Sequence, residues 1–196
     1  MMAYKRPAAT ALSPNGRFVA YTVTEAETGE GKSSYLTHVW VAATDGSMNR
    51  QFTAGDSSCR NPSFSPDSRS LAFTSSREGG KTQVFVMPLD GGEAVQATNA
   101  ATGVGEYAWS PDGSHIAYLM TDPDSDAEAA AKKAKRDWTV RDEDYKFAHL
   151  YVTALKKSDG DSTAVRRLTS GAFHVESFDW SPDGKTIVFS HRTTPS

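Results

Sequence analysis

One cysteine, Cys59, stands in 196 residues. No intramolecular disulfide can form, so a reducing compartment is expected. No apolar run approaches the roughly 20 residues that a membrane-spanning helix needs. Met1 to Arg6 carry charge with no apolar stretch behind them, so no signal peptide is expected, and the expected location is cytoplasmic. A basic excess is missing too: 21 Lys and Arg face 24 Asp and Glu, for a net charge of -3. A general phosphate-binding surface is thereby excluded, and neither nucleic acid nor an anionic membrane is an expected partner.

The chemistry of hydrolysis is equally absent. Gly-x-Ser-x-Gly occurs nowhere, so the chain has no nucleophile elbow. His38, His115, His149, His174 and His191 are scattered, and no pair of them has zinc-site spacing. Gly29-Glu-Gly31-Lys-Ser33 lacks the first glycine of a phosphate loop, because Ala26 stands there, and a strand follows where a helix is needed. Asp122, Asp124 and Asp126 alternate as in a calcium loop, but Ala127 and Lys133 occupy its glycine and glutamate positions. Asn61-Pro-Ser63 is excluded as a glycosylation site by its proline. The chain is therefore expected to hold no catalytic residue, cofactor or metal of its own.

What is present is a repeat. Leu12-Ser-Pro-Asn-Gly-Arg-Phe-Val-Ala-Tyr21 aligns without gaps with Phe64-Ser-Pro-Asp-Ser-Arg-Ser-Leu-Ala-Phe73, Trp109-Ser-Pro-Asp-Gly-Ser-His-Ile-Ala-Tyr118 and Trp180-Ser-Pro-Asp-Gly-Lys-Thr-Ile-Val-Phe189. Proline presets φ at the second turn position, Asp or Asn suits the next, and Gly tolerates the left-handed residue after it. Phe18 to Val23 and Ile187 to Phe189 are continuously apolar, as strands covered on both faces are. Each motif thus predicts a tight hairpin whose second strand is buried.

The prolines recur after 52, 45 and 71 residues, near the period of about 40–45 residues of four-stranded propeller blades. Val39-Trp-Val41, Val84-Phe-Val86 and Leu150-Tyr-Val152 supply third strands. Polar turns follow at Asp45-Gly46, Asp90-Gly91-Gly92 and Asp159-Gly160. Fourth strands end near Thr53, Thr98 and Thr169. The expected fold is all-β, with propeller blades at 8–54, 60–99 and 105–170 and a partial fourth at 175–196.

The long third interval is accounted for by an insertion at 122–147. Ser125 and Glu128 have capping-box spacing, and Ala127 to Arg136 are strong helix formers with acidic residues first and basic residues last. Glu128 and Lys132 stand at the favourable i,i+4 separation. No apolar stripe is present, so a short solvated helix is expected, with docking of another domain as the sharper alternative. Trp138, Tyr145 and Phe147 suit pinning this loop to its blade.

These Ser-Pro-Asp-Gly repeats resemble the propeller repeats of TolB-type proteins and of serine peptidases of the prolyl oligopeptidase and acylaminoacyl-peptidase family. Lys5-Arg-Pro7 with the first repeat resembles the start of the peptidase propeller. Val140-Arg-Asp-Glu-Asp-Tyr-Lys-Phe147, running into His149-Leu-Tyr-Val152, is similar to the insertion of the acylaminoacyl-peptidase branch. The resemblance implies a propeller that gates short peptides and docks on a C-terminal α/β-hydrolase domain, which carries the Ser, Asp and His of the triad. No triad position has a match here. A TolB-like protein-interaction scaffold without enzymatic activity is the alternative, and a truncation product with no role of its own is a third reading. The strand Thr186–Ser190 is expected to lack outer neighbours, which favours self-association. Two copies would then approximate a seven-bladed ring.

Overall fold

The computed structural model describes residues 6–29, 32–77, 80–126, 128, 130, 134, 146–155 and 165–193. The first sheet comprises β1 (Arg6–Leu12), β2 (Phe18–Gly29), β3 (Lys32–Ala43) and β4 (Asn49–Gln51). The second comprises β5 (Cys59–Phe64), β6 (Ser70–Ser75), β7 (Gln83–Pro88) and β8 (Val95–Gln96). The third comprises β9 (Tyr107–Trp109), β10 (His115–Thr121), β11 (Ala148–Ala154) and β12 (Val165–Arg167), and the fourth β13 (His174–Trp180) and β14 (Ile187–Arg192). Strands pair antiparallel in chain order within each sheet. This is the all-β blade architecture that the repeat predicts. Among the described residues, no helix is long and apolar enough to cross a membrane.

The repeated turn explains the regular hairpins. In each copy the serine hydroxyl donates to the Asp or Asn side chain and accepts the backbone N–H five residues on. Ser110 Oγ lies 2.6 Å from Asp112 Oδ1, and His115 N lies 2.9 Å from Ser110 Oγ. Ser13, Ser65 and Ser181 repeat the arrangement. The same carboxylate or amide oxygen accepts a second backbone N–H, from Arg17, Arg69, Ser114 or Lys185. Gly16, Gly113 and Gly184 take φ of +71°, +70° and +68°, and Ser68 holds the same left-handed conformation at +59°, a cost that glycine avoids. Ser68 Oγ in turn accepts the N–H of Asn15, tying the first turn to the second.

These hydrogen bonds hold Asp67, Asp112 and Asp183 below the usual carboxylate range, the serine hydroxyl contributing most in each case. Since the folded values lie below the unfolded value of 3.8, the stabilisation is complete above that pH and is lost as pH falls through the folded values. Asn15 makes the same two contacts without a titrating group. Asp112→Asn is therefore expected to keep the fold at neutral pH and flatten the acid limb of a urea-midpoint profile. An unchanged acid limb would refute the assignment.

The core lies between sheets. Ala20, Val39 and Val41 pack against Cys59, Phe64, Leu71, Phe73 and Phe85. Ala72 and Val84 meet Ile116, Tyr118, Met120 and Tyr151. Ala117, Leu119, Leu150 and Val152 meet Val175 and Phe178. The small residue of the motif (Ala20, Ala72, Ala117) is fully buried at each boundary, where it lets the following sheet approach closely.

Its counterpart in the fourth motif, Val188, is 69% exposed, and Phe189 is 36% exposed. The expectation that Ile187 to Phe189 are covered on both faces is thus overturned. An apolar run marks a strand able to be buried, but burial needs a neighbouring sheet, and none of the described residues covers this face.

The β2–β3 hairpin is paired out to Gly29 and Lys32. At 12 residues each, its strands are longer than the six- or seven-residue second and third strands of the next two sheets. Its tip, Glu30 and Gly31, lies outside the described residues. Gly29 and Lys32 thus belong to an antiparallel hairpin, with no helix N-terminus to cradle phosphate.

Candidate functional surface

The first strands of the sheets lie side by side. Tyr107 Oη donates to Asn61 O across 2.6 Å, and Trp109 Nε1 to Ser63 O across 3.4 Å, joining β9 to β5. Register shifts interrupt β1 between Ala8 and Ala11 and β5 at the corresponding Arg60 to Ser63, where Ala9 and Asn61 have φ of 45° and 50°, and β13 between Val175 and Ser177. Such bulges re-aim side chains away from the ladder.

Two cavities open along these strands. One, of about 470 Å³, is bounded by Asn61, Pro62, Ser63, Gly105, Glu106 and Tyr107. The other, of about 400 Å³, is bounded in part by Thr82, Glu106, Thr121, His174 and Glu176. Glu106 borders both, and burial, reinforced by the negative charge of Asp179, raises its carboxyl above the ordinary range. Glu176 is paired with Arg192 Nε at 3.4 Å. Glu106 and Glu176 give this wall a carboxylate lining that can receive and orient a polar or cationic group. Nothing in the sequence marks Glu106 and Asp179 as neighbours, because a spacing of 73 positions carries no local signal.

The root of the insertion forms a second polar cluster. The Arg167 guanidinium pairs with Asp122 at 3.1 Å, and Asp122 N donates to Phe147 O, closing the neck. Lys146 Nζ lies 2.5 Å from Glu128 Oε2 and 3.7 Å from Asp124. Ser125 and Glu128 form the expected capping box, with Ser125 N donating to Glu128 Oε2 and Glu128 N to Ser125 Oγ. Glu128, expected to pair with Lys132, has Lys146 as its described cation. Lys132, Trp138 and Tyr145, like the turn at Asp159-Gly160, lie outside the described residues. Of the alternating aspartates, Asp122 pairs with Arg167 and Asp124 with Lys146.

The histidines sort by position. His38, Gln83 and His149 occupy one place in the first three sheets, just before the third-strand core. Thr53, Thr98 and Thr169 each accept the next backbone N–H, from Val39, Val84 and Leu150, at 2.9 Å. Thr98 donates its own proton to Gln83 Oε1, and Thr169 Oγ1 lies 3.1 Å from His149 Nδ1. His149 Nε2 faces Asp122 Oδ2 at 3.5 Å. His149 is fully buried, and burial, followed by the charge of Arg167, lowers its pKa below 6.5. Its contacts are those of a buried structural residue.

His149→Gln is expected to fold with near-native stability, as Gln83 does in the second sheet. His149→Leu removes the imidazole partner of the Thr169 hydroxyl and is expected to cost about 1–3 kcal/mol. The His149 contribution is full above pH 6.5 and falls as the unfolded chain takes up a proton below it. Urea midpoints of both variants against pH check this.

His149, His174 and His191 gather near Phe173 rather than lying scattered. His149 meets the Phe173 ring edge-on at 5.4 Å, His191 lies 4.9 Å from it, and His174 Nδ1 accepts Ala148 N. Among the described residues, no three His, Cys, Asp or Glu side chains are placed to hold a metal ion. His115 stays in its turn, with Nδ1 2.7 Å from Ser114 Oγ. Cys59 is buried, with Arg77 Nη2 3.0 Å from its sulfur.

Comparison with known proteins matches this architecture. Residues 4–143 match the TolB beta propeller domain. An uncharacterised peptidase of Bacillus subtilis, YuxL, is 30% identical over 93% of this chain, which spans only 29% of YuxL. The acylaminoacyl peptidase of Pyrococcus horikoshii superimposes with a TM-score of 0.63 at 16% identity, over 95% of this chain and 28% of its own. A putative TolB from Agrobacterium tumefaciens gives 0.54 at 21% identity, over 100% of this chain and 60% of its own. The interlocked Ser-Pro-Asp-Gly turns, the four-stranded sheets and the family match over most of its length show that the chain belongs to the TolB β-propeller family.

Proposed function

We propose that this chain is the non-catalytic propeller portion of an acylaminoacyl-peptidase-like serine peptidase, gating short peptides and docking on an α/β-hydrolase domain. The observation that carries the reading is the relation to YuxL, in which nearly the whole chain aligns with under a third of a peptidase. The 196 residues contain no Gly-x-Ser-x-Gly, which supports placing hydrolysis in other sequence. The acidic inner wall around Glu106 then lines the passage, where it orients the cationic amino terminus of an entering peptide. The insertion neck, braced by Asp122 and Arg167, presents an element for contact with the hydrolase domain. The single reduced cysteine supports a cytoplasmic location.

The purified chain is expected to give no turnover of chromogenic short peptides, while the natural protein from its source cells labels with a serine-hydrolase probe. Turnover that survives repurification of the 196-residue chain would overturn this reading. A natural protein of the same size as this chain, unlabelled by the probe, would favour the TolB-like interaction scaffold. The 60% coverage of the Agrobacterium TolB supports that second reading. Association of two copies through the edge of β14 is expected on either reading.

A further inference from the structure

Each third strand starts beside the beginning of the next sheet's first strand, and one position is placed to bridge the two. Ser58, Gly103 and His174 each stand six residues before the motif aromatic, at Phe64, Trp109 and Trp180. Ser58 Oγ accepts the Thr37 N–H across 3.2 Å, and His174 Nδ1 accepts the Ala148 N–H across 3.3 Å. Gly103 has no side chain, but a Cβ there would lie 3.3 Å from Thr82 N. The three positions therefore face equivalent backbone N–H groups. The bridging group is a hydroxyl at the first boundary and an imidazole at the third.

The two groups differ in one chemical respect. A hydroxyl accepts a hydrogen bond across the whole range in which histidine titrates, whereas Nδ1 accepts one only while it carries no proton. A backbone N–H can only donate, so this contact requires Nδ1 to be unprotonated. Protonation sets two N–H groups face to face, and the bond is lost.

The surroundings offer the protonated ring another partner. His174 lines the cavity of about 400 Å³ together with Ala148, Glu106 and Glu176. Glu176 is paired with Arg192, the cross-strand partner of His174. On the β11 side stands buried His149, whose protonated form is opposed by charge on His174 and on Arg167. Arg167 is itself paired with Asp122, and His191 of β14 packs on the adjoining Phe173. The neutral ring is thus held by Ala148, and the charged ring is drawn to carboxylates. Two protonation states favour two arrangements.

We propose that His174 is a pH-operated clasp between the third and fourth sheets. Neutral, it fastens the start of β11 to β13. Protonated, it turns to the carboxylates of the cavity and releases Ala148. Ala148 follows Phe147, whose carbonyl accepts the Asp122 N–H and closes the insertion neck, so the clasp sets how firmly the root of the insertion is held to the fourth sheet. Ser58 makes the corresponding clasp of the first boundary independent of pH.

The test is amide exchange of the 196-residue chain between about pH 8 and about pH 5, expressed as protection relative to the unstructured rate. Ala148 should lose about tenfold in protection as the ring is protonated, the effect of one hydrogen bond, while Thr37 keeps its own. His174→Asn sets an amide oxygen close to the place of Nδ1 and should hold Ala148 protection constant across the range. His149→Gln removes the neighbouring titrating ring and should leave the pH dependence of Ala148 in place. Constant protection of Ala148 in the unsubstituted chain would overturn the proposal. So would a pH dependence that survives His174→Asn or vanishes in His149→Gln. Should His174→Asn fail to fold, the His174 ring nitrogens and the Ala148 amide of the unsubstituted chain can be followed by NMR. They should titrate with one midpoint, and separate midpoints would overturn the clasp.

Discussion

Phe73→Ala is expected to lower the unfolding free energy by about 3–5 kcal/mol, the range for emptying an aromatic site in a core. Phe73 is fully buried, stacks on Phe85 and lies beneath the Arg77 guanidinium. Its removal opens a void at the boundary of the first two sheets, where Val39, Val41 and Leu71 converge. Phe189→Ala removes the same ring from the same motif position in the fourth sheet. There the ring is 36% exposed, so the loss should be about 1–2 kcal/mol. Urea unfolding of both variants, with m-values compared, decides the matter. Equal losses would mean that the contacts of the fourth sheet in solution differ from those described.

The second large effect concerns the turn serines. Ser110→Ala removes a hydroxyl that is at once donor to Asp112 and acceptor for His115 N. Ser110 is 3% exposed, so little water can replace it, and a loss of about 2–3 kcal/mol is expected. Ser65→Ala should behave alike, because Ser65 is 4% exposed and makes the same contacts. Ser181 makes them at a more open site, where water can satisfy the freed groups, so Ser181→Ala should cost under about 1 kcal/mol. Thermal midpoints of the three variants provide the test. A uniform loss would show that the relay acts through turn geometry alone, independently of burial.

Much of the fold was legible because its determinants are local. Ser13-Pro-Asn-Gly16 and its three relatives form their turns from contacts spanning two to five residues, so four copies read as four hairpins. The third strands at Val39, Val84 and Leu150 were legible for a similar reason, as apolar runs with an aromatic centre ended by Asp-Gly turns. The capping box at Ser125 and Glu128 is local as well.

The candidate surface was far less legible. Glu106 lies beside Asp179, and His149, His174 and His191 meet near Phe173, only because inner strands and strand ends from different sheets are stacked. The structural role of His149 emerges from its equivalence to Gln83, which is visible only once the Thr98 and Thr169 hydroxyls are seen in place. Ile187 to Phe189 show the converse error. Their composition matches that of the buried Leu71 to Phe73, yet their exposure depends on which sheet lies alongside.

From the sequence alone came the turn chemistry, the strand periodicity and the lack of a Gly-x-Ser-x-Gly motif in these 196 residues, because each is set by residue identity over a few positions. Only the tertiary structure decided which faces are buried and which carboxylates lie together. Burial and electrostatics depend on distances between sheets, and residues tens of positions apart in the chain set those distances.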